Sequence, residues 1–167
     1  MNPDWLTRVF GFEGGESRDP ADPGNWTGGK QNAGTLKGTK WGIAANSYPD
    51  LDIANLTLEQ AAEIYERDYA KPFLDLHPAL GYQMFDFAVN AGVDRAVRKL
   101  QLVLGVTVDG KLGPMTKAAI KDPVGAAIGL LAERLEHYTD IQGWSRYGRG
   151  WAKRVAENLR YLMEDAK

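Results

Sequence analysis

Two carboxylic acids stand out for their setting. In the stretch VFGFEGGESRDPADPGNWTGG, Val9 to Gly29, an apolar run stops at Glu13 and two glycines follow. Asp22 comes nine residues after Glu13, immediately before Pro-Gly. A carboxyl at the end of an apolar helix is partly desolvated. Desolvation disfavours the charged form, so a proton is retained near neutral pH and is available to a leaving oxygen. Gly14 and Gly15 remove side-chain bulk beside Glu13 and let a ligand approach the backbone. Asp22 lies among prolines that stiffen its turn, as a solvated acid. One shielded and one solvated carboxyl is the pairing that splits glycosidic bonds. On spacing alone, Glu-Gly-Gly is accounted for by a helix end with a solvated acid.

Other residues have two readings each. Asp86 and Asn90 are one turn apart on the apolar stretch FDFAVN and face one way. Polar groups in such a helix need partners. They either line a cleft floor that binds acetamido groups or form a buried network that orients helices. Trp26 either stacks on the apolar face of a pyranose or anchors a hairpin. GWSRYGRGWAKR, Gly143 to Arg154, interleaves Trp144, Tyr147 and Trp151 with Arg146, Arg149, Lys153 and Arg154. It is either a surface for an anionic partner or a solvated face in which Trp151 packs inward. LGVTVDGKLGPMTKAAI resembles the turn of peptidoglycan-binding helical modules, and is also a generic way to join two helices. His77 and His137, the only two histidines, read as structural.

These residues need elements to position them. Asp4 to Phe12 reads as a first helix, with Trp5, Val9 and Phe12 at helical spacing and Gly14-Gly15 ending it. Residues 16–40 are rich in Gly, Asn, Thr, Asp and Pro, and predict a short twisted β-hairpin or ribbon with turns at TGGK and NAGT. Thr57 with Gln60 three residues on is a capping box. It opens a helix that stops near Lys71-Pro72. PALGYQMFDFAVNAG predicts a central buried helix ending at Gly92. Further helices follow over VDRAVRKLQLVLG, MTKAAIK, PVGAAIGLLAERLEHYTD and GWAKRVAENLRYLMEDA. The sum is a mainly α chain with one small N-terminal β element. It reads as a single domain over residues 1–167, with the helix end and hairpin in 1–50 and a helical part in 51–167.

Composition narrows the functions. The 167 residues include no cysteine, which excludes disulfides, cysteine-based zinc sites and thiol catalysis. No cofactor and no metal are expected. Residues 1–92 carry a balance of −6 and residues 93–167 one of +4, so any attraction to an anionic surface belongs to the C-terminal part. The overall pI of about 5.7 argues against a dedicated nucleic-acid protein. MNPDWLTRVFGFEGG has no basic region followed by an apolar stretch, and no run reaches membrane-span length. The chain therefore reads as cytoplasmic when made, without a signal peptide; to work elsewhere it would need something else, such as a separate membrane-permeabilising factor, to release it. A monomer is expected.

Glu13-Gly14-Gly15, Asp22-Pro23-Gly24 and Thr39-Lys40-Trp41-Gly42-Ile43 resemble, in order, the motifs of the glycoside hydrolase family 108 muramidases, phage-type endolysins of the lysozyme superfamily. The resemblance continues through DFAVNAG, LQLVLGVTVDGKLGPMT and GWAKRV. It implies a lysozyme-like, mainly α fold and hydrolysis of the β-1,4 bond between N-acetylmuramic acid and N-acetylglucosamine in peptidoglycan. It implies that Glu13 is the general acid, and that Asp22 and Thr39 hold the attacking water or stabilise the oxocarbenium-like state. The candidate substrate-binding residues are Gly14, Gly15, Trp26, Trp41, Asp86 and Asn90, with glycan strands as the partner. Arg146, Arg149 and Lys153 are candidates for contact with the anionic envelope. This sequence departs from the pattern in two places: Glu16 follows Glu-Gly-Gly where the family often has Tyr, and Asn25 to Gly38 lengthens a usually short link. Two alternatives stand beside a muramidase: a lytic transglycosylase, which needs one glutamate and no activated water, and a non-catalytic peptidoglycan-binding or secretion-helper protein.

Overall fold

A computed structural model describes residues 3–11 and 15–167. Among these the chain is mainly α, with seven α-helices and one two-stranded antiparallel sheet. It divides into two compact units, Met1–Arg67 and Asp68–Lys167.

The first unit opens with α1, Pro3–Phe10, which buries Trp5 and Val9 one turn apart. The Gly11 N–H donates to the Thr7 carbonyl at 3.1 Å, and the helix is shorter than the expected run to Phe12, which lies outside the described residues. A 3-10 turn, Pro23–Asn25, is capped by Asp22. The lengthened link then folds back on itself. Trp26 bridges Leu36, the Thr27 N–H donates to the Thr35 carbonyl at 3.0 Å, and Lys30 to Ala33 closes a turn at 3.0 Å. The predicted ribbon is therefore present, but the regular sheet follows it. Strands β1, Thr39–Lys40, and β2, Ile43–Ala44, pair Thr39 with Ala44 and Lys40 with Ile43.

Helix α2, Leu58–Tyr65, starts with the expected capping box: the Gln60 N–H donates to Thr57 Oγ1 at 3.2 Å and the Thr57 N–H to Gln60 Oε1 at 3.0 Å. The backbone then widens into a π turn, Glu66–Ala70, and tightens into a 3-10 turn, Lys71–Phe73. Pro72 has no N–H to continue a regular ladder.

The second unit is built on α3, Pro78–Ala91, in which every residue from Ala79 to Ala88 is buried. Helices α4, Val93–Leu104, α6, Pro123–Asp140, and α7, Trp144–Asp165, all pack on it. The short α5, Pro114–Ala119, follows the turn after α4. That turn is organised by buried Gln101, whose Nε2 donates to Asp109 Oδ1 at 2.7 Å and whose Oε1 accepts the Gly110 N–H at 2.9 Å. Helix α7 starts six residues earlier than GWAKRV suggests. A glycine weakens a helix in general, yet at Gly148 the Trp144 ring occupies the space of a side chain: a Cβ there would meet it at 2.6 Å. Among the described residues no helix is long and apolar enough to cross a membrane.

Candidate active site

Glu13 and Gly14 lie outside the described residues. Asp22 and Thr39, the other two candidates, are described. Asp22 is exposed and its Oδ1 accepts the Gly24 N–H at 2.8 Å. The Pro23–Asn25 turn that follows aims Asn25 inward, where it is completely buried. Asn25 Nδ2 donates to the Asp19 carbonyl at 3.0 Å. A carbonyl only accepts, so this bond fixes which end of the amide is nitrogen. Asn25 Oδ1 then accepts, and its donor is Thr39 Oγ1 at 2.7 Å. The Asn25 carbonyl also takes the N–H groups of Lys37 and Gly38, each at 3.0 Å.

These bonds decide what the lengthened link does to Thr39. The Asn25–Gly38 segment begins and ends at one residue, Asn25, so its length does not carry Thr39 away from the Asp-Pro-Gly turn. Gly38 makes the return possible: its φ is +89°, and a Cβ there would lie 2.5 Å from the Ser17 carbonyl oxygen. Ser17 and Thr39 exchange both backbone bonds at 2.8 Å. Thr39 is thus held by its backbone to the chain that follows Glu-Gly-Gly, and by its side chain to the turn that carries Asp22. Asn25 is the residue that sequence reading missed. The only signal for it was its place directly after Asp-Pro-Gly.

The Thr39 hydroxyl has one proton, which goes to Asn25. Its oxygen is left to accept a proton from water. Thr39→Ala and Asp22→Asn are each expected to slow turnover without abolishing it. In the reading that gives Asp22 and Thr39 the attacking water, removing an acceptor loosens that water and leaves the proton donor in place. Steady-state kcat of the two variants checks this, and a loss at either as complete as that of Glu13→Gln reverses the ranking.

The remaining candidates separate. Gly15 is exposed, and among the described residues nothing lies within 4 Å of where its Cβ would stand. Trp26 is half-buried and its Nε1 donates to the Pro20 carbonyl at 2.9 Å, which is the geometry of a hairpin anchor. Trp41 turns the corner between β1 and β2, its ring 6.1 Å from that of Phe10.

In the second unit Asp86 is completely buried. Its Oδ2 accepts from Arg134 Nη1 at 2.5 Å and Asn158 Nδ2 at 2.6 Å, and its Oδ1 accepts from Arg154 Nη2 at 2.9 Å. Burial pushes its carboxyl pKa up, but the charges of Arg134 and Arg154 outweigh this and hold it at about 2. As a substrate-binding residue Asp86 is corrected here: a carboxylate with no accessible surface does not touch a glycan, and the helix-orienting reading has the geometry. Asn90 is exposed, and its Oδ1 accepts the Tyr138 hydroxyl at 2.6 Å, while that hydroxyl accepts Arg134 Nε at 2.6 Å. Arg134, Tyr138 and Asn158 gave no sequence signal, because charged and polar residues on amphipathic helices usually face solvent. His77 caps α3, its Nδ1 accepting the Ala79 N–H at 3.3 Å, which is a structural role.

No curated protein sequence matches the chain. Among solved structures it is similar to Brucella abortus SagA, with 27% identity, coverage of 98% of this chain and 94% of that one, and a TM-score of 0.81. The mainly α, lysozyme-like fold with a small hairpin is thereby shared. The sequence model of Glycosyl hydrolase 108 matches residues 6–92, a span that contains Glu13, Asp22 and Thr39. The chain belongs to glycosyl hydrolase family 108, the family of peptidoglycan-cleaving enzymes that its Glu-Gly-Gly and Asp-Pro-Gly motifs resemble.

Proposed function

We propose that the chain is a muramidase, hydrolysing the β-1,4 bond between N-acetylmuramic acid and N-acetylglucosamine in peptidoglycan. The observation that carries this reading is the Asn25 link, which fixes the Thr39 hydroxyl as an acceptor beside the Asp22 turn. Glu13 gives its proton to the glycosidic oxygen as the C–O bond breaks. A water donating to Thr39 Oγ1 and to the Asp22 carboxylate presents its lone pair to the anomeric carbon, whose developing positive charge the carboxylate balances; as the new C–O bond forms, one water proton passes to that carboxylate, and solvent returns the proton to Glu13 for the next turnover. A lytic transglycosylase needs no such water site, which favours hydrolysis. Digestion of purified peptidoglycan, followed by mass analysis of the sugar ends, tests the proposal. Reducing N-acetylmuramic acid ends are expected. Reducing N-acetylglucosamine ends or 1,6-anhydro ends overturn it.

The second element of the reading is attachment to the anionic envelope. Arg146, Arg149 and Lys153 are exposed on α7, and Arg146 lies over the Tyr147 ring at 5.2 Å. Arg154 belongs elsewhere, in the buried pair with Asp86. Each Lys or Arg near an anionic surface contributes roughly 1 kcal/mol, screened by salt. Replacing both Arg146 and Arg149 by Gln is expected to weaken binding to whole envelopes, most at low ionic strength, while hydrolysis of short soluble glycan fragments changes little. Equal binding of variant and wild type at both salt levels makes this a solvated face only.

A further inference from the structure

Four aromatic rings gather where α6 ends and α7 begins. Trp151 is at the centre. The Tyr138 ring lies 5.1 Å from it at an interplanar angle of 28°, the Tyr147 ring 5.9 Å away at 37° and the Trp144 ring 6.4 Å away at 39°. Two glycines make room for them. A Cβ at Gly148 would meet the Trp144 ring at 2.6 Å, and one at Gly143, where φ is +105°, would meet the Tyr147 ring at 3.2 Å. The chain thus accepts a helix-weakening residue at Gly148 to seat a ring. Core packing does not account for the arrangement, because Trp144 stays 37% exposed and Tyr147 50%.

Hydrogen-bond donors accompany the rings. Tyr138 gives its hydroxyl proton to Asn90 Oδ1 at 2.6 Å, which fixes the other end of that exposed amide as nitrogen. Asn90 Nδ2 and the indole N–H groups of Trp144 and Trp151 make no hydrogen bond among the described residues. Trp26 is the contrast, since its N–H is taken by the Pro20 carbonyl. Cations complete the cluster: Arg146 lies over the Tyr147 ring at 5.2 Å, and Arg149 is exposed one turn further on.

We propose that this cluster is a binding site for a glycan strand of peptidoglycan, in which Trp144 and Tyr147 stack on pyranose faces and Asn90 donates to an acetamido carbonyl. A pyranose offers an apolar C–H face edged by hydroxyl and acetamido acceptors. Rings edged by N–H donors are its complement. The polymer also carries carboxylates on its peptide stems, so Arg146 and Arg149 match it in charge. A bilayer fits less well. Besides the rings, the exposed residues over 144–150 are Ser145, Arg146, Arg149 and Gly150, and none is a large aliphatic side chain to enter a lipid phase. The proposal rests on the reading of this α7 face as an attachment surface, and names what it attaches to.

The probe is the β-1,4-linked hexamer of N-acetylglucosamine, which has pyranose faces and acetamido groups but no charge and no muramic acid. Its titration into the full chain is followed by NMR at the indole N–H signals of the five tryptophans. Saturable shifts at Trp144 and Trp151 are expected. Tyr147→Ala is expected to weaken this binding by roughly twofold to tenfold, the usual worth of one ring contact. The loss should be equal at low and high salt, because stacking on an uncharged sugar is not screened. Tyr147→Phe keeps the ring and should bind as wild type does. No shift, or shifts confined to the other tryptophans, overturns the proposal. Unchanged hexamer affinity in Tyr147→Ala overturns it too: a lowered Tm then makes the rings packing alone, and weakened binding to anionic phospholipid vesicles makes the surface a membrane contact. The electrostatic part of the attachment reading fails separately, in the salt dependence of the Arg146→Gln, Arg149→Gln variant on whole envelopes, to which an uncharged hexamer is blind.

Discussion

Glu13→Gln is expected to abolish peptidoglycan hydrolysis and leave the fold intact. Glutamine matches glutamate in volume and keeps hydrogen-bonding capacity, but it has no carboxyl proton to give. General acid catalysis contributes roughly 100-fold to 10,000-fold, and expulsion of an unprotonated sugar alkoxide is poor at neutral pH, so kcat is expected to fall by at least ~100-fold. The loss should exceed that of Asp22→Asn or Thr39→Ala, which loosen the water but leave proton donation in place. Turbidity loss of purified peptidoglycan gives the rate, and far-UV circular dichroism with Tm shows that the variant is folded. Turnover near the wild-type rate in folded Glu13→Gln would remove Glu13 from the mechanism. Retained wall binding with lost turnover would separate catalysis from attachment and exclude a purely wall-binding protein.

The sequence made some of this legible and hid the rest for a physical reason. Signals that act within one turn of chain were readable. Thr57 and Gln60 announced a helix start, and their reciprocal bonds form as the spacing requires. Gly105 closes α4 in the left-handed conformation at φ +65°. The mostly apolar stretch of α3 marked the helix that is buried across its whole middle. Interactions that join distant residues were not readable. Thr39 meets Asn25 fourteen positions away, and no local pattern says that a glycine-rich link returns to where it started. Arg154 meets Asp86 across 68 positions. On its own helix it reads as one more basic residue of a charged face, beside Arg149 and Lys153, which do stay exposed. The start of α7 was missed because Gly148 weakens a helix in general. Here its missing side chain is the space that the Trp144 ring fills.

Asp86→Ala is expected to be the most destabilising single substitution in the second unit, and the reason is electrostatic. Asp86 is the carboxylate between two guanidinium groups, Arg134 with 0% and Arg154 with 9% side-chain exposure. Its negative charge offsets part of their desolvation. Removing it takes a counter-charge from two buried cations, and Arg134 has no slack, since its Nη2 already lacks a partner among the described residues. Breaking a buried pair in this way typically costs about 3–5 kcal/mol, a large share of the stability of an ordinary domain. The sign of the pH dependence follows from the direction of the shift. The Asp86 carboxyl is held below its ordinary value of 3.8, at about 2. Its contribution is therefore fully present above pH ~4 and is lost as pH falls from there through ~2, an amount on the order of 2 kcal/mol. Thermal melts of wild type and Asp86→Ala between pH 2 and 7 check both statements. The variant should melt well below wild type at pH 7, and the gap should narrow on acidification, because at low pH the wild-type carboxylate is being protonated as well. An unchanged melting temperature combined with lost hydrolysis would return Asp86 to the cleft. Burial behind Arg134, Arg154 and Asn158 argues for the opposite result, in which stability falls.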